Sequence, residues 1–284
     1  MTIKNKLEKR LFNINAFLES NKNPSLKIIH LLRLEVKHLE ALLELMSFQE
    51  NFGARFEIPE RLEKLFHEAG KLRKFGLEMG AMRTIVHNNN LAKPTLFLKQ
   101  LQLSKNKASL KLIKERRECP AFKPGDFAKH PDAELSSYAC QEFLARRASS
   151  ILNLLEQDII SDIQSLHLLR KMLKSILFVL SICKKEVEPV RLFLRTHERF
   201  IKSVESEIGS LHDTHLFVIS LEKKPDTIHA PEQDALKKIK RQWQNEMMNK
   251  IEDLGPQLDA IRQFALDLKE QSIYELNSAS ALSN

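Results

Sequence analysis

Leucine, valine and methionine recur every three or four residues at Leu32, Val36, Leu39, Leu43 and Met46, the spacing of one face of an α-helix. A second stripe on the same segment carries His30, Arg33 and Lys37 at i, i+3 and i+7, set about 130° away on the helical wheel. The pattern returns downstream. Leu166, Leu169, Leu173, Leu177 and Leu180 form an apolar stripe, and His167, Arg170, Lys171 and Lys174 share the opposite one. The tetrapeptide His-Leu-Leu-Arg is identical in the two places, at 30–33 and 167–170. Each copy is followed by a glycine-centred segment, Gly70-Lys71-Leu72-Arg73-Lys74 at a spacing of 40 residues and Gly209-Ser210-Leu211-His212-Asp213 at a spacing of 42. Two motifs repeated in the same order indicate an internal duplication.

Prolines punctuate the remaining apolar periods, several of them where the first turn of a helix would begin. The spacing predicts helices at about 3–20, 25–50, 60–87, 95–118, 133–157, 159–185, 188–222, 231–252 and 257–276, and no strand. The expected fold is all-α, two helical bundles related by an internal pseudo-two-fold repeat, with consecutive helices antiparallel where connections are short. The segment 119–131 holds three prolines and a glycine and is read as the link between halves. The first half is placed at 1–130, the second at 131–276, and a flexible tail at 277–284.

The 284 residues suffice for a sizeable core without disulfides. Three cysteines, Cys119, Cys140 and Cys183, lack CxxC spacing and read as reduced thiols. The basic first ten residues lack a following apolar region, which argues against a secretory signal, and the run Ile176–Cys183 is too short to span a membrane. A cytoplasmic location is therefore expected, without membrane association.

A net charge of +8 and an isoelectric point near 9.3 favour an anionic partner. One tryptophan and two tyrosines offer little stacking surface for bases, so a phosphate backbone fits better than a specific nucleic acid. Basic residues cluster again at Arg191, Arg195, Arg199 and Lys202, with His212 further along the same helix; an arginine fork suits phosphate oxygens. Glu198 and Glu205 are available to neutralise part of that row, and Glu40 and Glu44 part of the first, so the second half is expected to bind more strongly. Gly70 and Gly209 each cost about 1 kcal/mol in a helix interior, so either a bend or a close backbone approach by the neighbouring His30 or His167 helix should compensate.

No P-loop, GxGxxG, GxSxG or HExxH motif occurs. His212-Asp213 matches the central dipeptide of HD-type phosphohydrolases, but a metal centre needs further ligands. No cofactor or metal is expected.

The duplicated His-x-x-Arg helices and the later Gly-x-x-Arg/His segments resemble those of the CHAD family, the conserved histidine α-helical domain. His30, Arg33, Lys37 and His38 fit its first motif and Gly70 with Arg73 the partner; His167, Arg170 and Lys174 fit the second copy, and Gly209, His212 and Asp213 the closing motif. The chain departs from the pattern at Glu40, Lys74 and Ser175. The resemblance implies a two-bundle helical module that binds inorganic polyphosphate through those basic residues and is often associated with polyphosphate granules. The expected function is non-enzymatic polyphosphate binding, with a helical scaffold for an acidic protein partner, or a metal-dependent phosphohydrolase, as alternatives.

Overall fold

The computed structural model describes residues 2–48, 57–128, 132–182, 188–222 and 230–282. Eight α-helices occur among them: α1 (Ile3–Glu19), α2 (Leu26–Met46), α3 (Glu60–Asn88), α4 (Thr95–Glu118), α5 (Ser137–Leu155), α6 (Ile163–Ile182), α7 (Glu188–Glu222) and α8 (Ala230–Leu282). Among the described residues there is no strand; an isolated antiparallel bridge joins Thr2 to Glu134. The all-α expectation holds. Cys183 and the expected helix ends at 49–50 and 183–185 lie outside the described residues.

The helix starts have local causes. The side chains of Thr2, Ser25 and Ser136 accept hydrogen bonds from the backbone N–H groups of Asn5, Ile28 and Ala139, satisfying donors that the first turn leaves open. Pro59 and Pro94 precede α3 and α4, and Pro189 and Pro231 stand in the first turns of α7 and α8, where a missing N–H costs nothing. Asn90, at φ 47°, takes the left-handed conformation just beyond α3.

One element differs from expectation. The sequence predicts a break at Pro256 and a frayed tail from 277, whereas α8 runs through Pro256 to Leu282. Proline removes one intrahelical hydrogen bond, but Leu254, Leu258 and Ile261 beside it are buried, and α8 packs along both α5 and α7.

Neighbours in sequence pack as neighbours in space, α1 on α2, α2 on α3, α3 on α4, and likewise α5 on α6, α6 on α7, α7 on α8; α8 also returns to α5 and closes a four-helix bundle. The repeat stripes are the core: Leu32, Val36, Leu39, Leu43 and Met46 are buried, as are Leu166, Leu169, Leu173 and Leu180, with Leu177 partly buried against them. One apolar cluster takes residues from both halves without interruption, because α2 packs on α6 and α5. A second cluster lies at the far ends of α3, α4, α7 and α8, around Met82, Phe97, Ile239 and Trp243. Phe75 and Met247 pack against both clusters.

Candidate functional site

Arg33 leaves α2 toward α3, and Arg170 leaves α6 toward α7. The Arg33 Nη1 donates to the carbonyl of Phe66 at 2.8 Å, and the Arg170 Nε donates to the carbonyl of Glu205 at 3.2 Å. Each carbonyl belongs to the residue one helical turn before a repeat glycine, Gly70 or Gly209. A methyl group on Gly70 would stand 2.6 Å from Arg33 Nη1, and one on Gly209 2.7 Å from Arg170 Nη2. The expected close approach of a neighbouring backbone is thus corrected: what comes near each glycine is an arginine side chain of the facing helix.

The two seats differ in chemistry. The Arg33 guanidinium lies 4.0 Å from the centre of the Phe66 ring, with Lys37 Nζ at 4.8 Å from the same ring. In the second half the residue at the equivalent place is Glu205, whose Oε1 lies 2.8 Å from Arg170 Nε and 3.2 Å from Lys174 Nζ. Burial and the charge of Arg73 lower the Arg33 pKa to about 10.

Where α2 and α6 cross, the two rows face a common cleft of about 560 Å³. His30, Arg33 and Lys37 line it from α2, Arg73 and Phe66 from α3, Arg147 from α5, and His167, Arg170, Lys171 and Lys174 from α6. The electrostatics show the convergence. Burial, then Arg73, Lys174 and Arg33, lower the His30 pKa, while burial, then His212, Lys171, Arg170 and Lys37, lower that of His167 to about 4. His30 thus feels Lys174, and His167 feels Lys37. The offset relating His30 to His167 also relates Lys37 to Lys174, so each coupling is the image of the other under exchange of the halves.

Three acidic side chains temper the charge. Glu40 pairs with Lys37 at 2.5 Å, Glu44 with Arg147, and Glu205 with Arg170 and Lys174. The second half is consequently no freer of carboxylates than the first, and the basis for expecting it to bind more strongly is gone. Among the described residues Arg73 and Lys171 have no acidic partner, and Lys171 is exposed.

Other residues expected at the site lie apart from the cleft. His38 packs its ring 4.4 Å from that of Phe178, 3.9 Å from Glu35, and its pKa falls to about 4, chiefly through burial and then the charge of Arg10. It stands in the interior between α2 and α6 and does not line the cleft. Arg191, Arg195, Arg199 and Lys202 lie along the first half of α7, outside the cleft lining, and Lys202 pairs with Glu198 at 2.5 Å. His212 stacks on His167, ring centres 4.2 Å apart and planes 21° from parallel, which places it behind the cleft wall. Burial lowers its pKa, against the raising effect of Asp213, and the Nδ1 atoms of both rings are buried without a hydrogen-bond partner among the described residues. Sequence reasoning missed Arg147 and the cleft role of Phe66. Phe66 carried a signal, since it precedes Gly70 by the same turn that separates Glu205 from Gly209; Arg147 carried none.

Among the described residues no three His, Cys, Asp or Glu side chains are grouped to hold a metal ion, so His212-Asp213 gains no further ligands there. No described helix is long and apolar enough to cross a membrane. Cys119 and Cys140 are buried, and burial pushes the Cys119 thiol up to about 11.

The fold is CHAD-like. The structure is similar to the crystal structure of the CHAD domain from the plant Ricinus communis over 93% of this chain and 89% of that one, with a TM-score of 0.55 and 15% sequence identity. No protein-family model matches the sequence, and no curated protein does.

Proposed function

We propose that the protein binds inorganic polyphosphate in the cleft between α2 and α6 and catalyses no reaction on it. The observation that carries this reading is the convergence of nine basic side chains, drawn from four helices and both halves, on one cleft of about 560 Å³. Burial, and after it the charge of neighbouring cations, depresses the pKa values of His30, Arg33, His167 and Lys174, so a bound polyanion relieves part of an electrostatic cost already present. The CHAD-like fold and the His-x-x-Arg motifs agree with that ligand. The apolar share of the lining, Leu34, Ala41, Phe66, Met172 and Phe178, excludes water behind the charges and strengthens them. Binding by this protein at polyphosphate granules in the cytoplasm would follow from the same chemistry.

The test is a titration of long-chain polyphosphate at several salt concentrations, with RNA of equal phosphate content as the comparison. Affinity should fall steeply with salt and exceed that for RNA, and the triple variant Arg73→Ala, Lys171→Ala, Lys174→Ala should weaken binding by about two orders of magnitude or more. Equal binding to both polymers, or an unchanged triple variant, would refute the assignment. A stoichiometric acidic protein recovered regardless of added polyphosphate would put the scaffold reading in its place.

A further inference from the structure

Gly70 and Gly209 are helix-interior residues in α3 and α7 for which the fold itself gives no reason. Glycine is among the worst residues for a helix interior. What an added methyl would meet is, in both cases, only the tip of an arginine, the most easily displaced part of a side chain. Alanine at either place would therefore leave the helices packed and move a guanidinium. The carbonyl that each arginine reaches is the one whose intrahelical partner is the glycine's own N–H, since Phe66 and Glu205 lie four residues earlier. Without a Cβ on that partner, the approach to the carbonyl is open from the side.

We propose that Gly70 and Gly209 are positioning residues for anion binding: each is a notch that seats the arginine of the facing helix at the cleft wall, with N–H groups left over for the ligand. The inference rests on the polyanion reading above. A guanidinium has five N–H donors, and the carbonyl takes one. Arg33 and Arg170 both line the cleft, and Arg170 keeps 22% of its side chain exposed while its Nε is engaged. Seating removes the freedom of a long side chain before the ligand arrives, so binding need not freeze it. The same notch, at equivalent places, serves an arginine beside a phenylalanine in one half and beside a glutamate in the other. The shared feature is the seat, not its surroundings.

The experiment compares Gly70→Ala and Gly209→Ala with Gly80→Ala, on the full chain. Gly80 lies on α3 with no atom within 4 Å of its added methyl and serves as the control for helix propensity. Thermal unfolding and polyphosphate binding at several salt concentrations are measured for each. The two notch variants should unfold no lower than the unmutated protein, bind about tenfold more weakly, and show a shallower dependence of affinity on salt, by about one phosphate contact. Gly80→Ala should match the unmutated protein in binding and slope. Adding Arg170→Lys to Gly209→Ala should restore the slope, because the slimmer ammonium clears the methyl. Unchanged affinity and slope in both notch variants would overturn the inference. So would a loss of stability with unchanged affinity of the folded protein, which would make the seats structural clamps. Failure of the unmutated protein to bind would instead overturn the polyanion reading, and this one with it.

Discussion

His38 and His167, both expected at the binding site from the sequence, meet two fates. His38 lies against Phe178 between the halves, and His167 lies at the cleft wall with His212 stacked behind it. Both have pKa values near 4, below the unfolded value of 6.5. Between those limits the unfolded chain binds more protons than the folded one, so stability is full above pH 6.5 and is lost as pH falls toward 4. Urea midpoints should decline through that window. His38→Phe, which keeps a ring against Phe178 and cannot charge, should flatten the decline; an unaltered slope would show that the buried imidazole does not titrate. The sequence revealed that His30 and His167 repeat, because identity and spacing are written in one dimension. It could not reveal that His38 turns inward, since the partner that buries it is about 140 residues away.

At the scale of the helices, legibility followed locality. Seven of the expected helices appear close to their expected positions, because apolar period, capping serines and prolines act within a turn or two of the residues they govern. Pro256 misled because its local penalty is outweighed by burial along two other helices, which no local pattern records. The cleft was legible in parts: the cationic rows of α2 and α6 could be drawn, but Arg147 and the carboxylate of Glu205 arrive from helices whose crossing is a tertiary fact. The ends of α3, α4, α7 and α8 form a smaller apolar cluster of their own, which holds Trp243, the chain's one tryptophan, at 3% exposure. A smaller core opens at lower cost. Tryptophan fluorescence should report a lower urea midpoint than helical ellipticity does, and coincident transitions would show that Phe75 and Met247 couple the two clusters into one cooperative unit.

Taken whole, the molecule hides its duplication under shared packing. Ile3 N–H donates to Ala133 O at 2.9 Å, and the buried Lys6 ammonium donates to the carbonyl of Ile182 at 2.9 Å, so the first helix of one half is fastened to the beginning and to the α6 terminus of the other. A cation at a helix C-terminus is electrostatically favoured there. The apolar cluster passes through the α2–α6 crossing without a break. The site obeys the same rule, since Lys37 acts on His167 and Lys174 on His30.

Because Lys37 and Lys174 take equivalent places across the α2–α6 contact, a second copy of residues 1–128 would offer its own α2 where α6 now packs. Expressed alone, that fragment should sediment as a homodimer that puts two copies of His30 and Lys37 across one groove. A well-folded monomer would instead mean that the halves have diverged beyond recognising themselves.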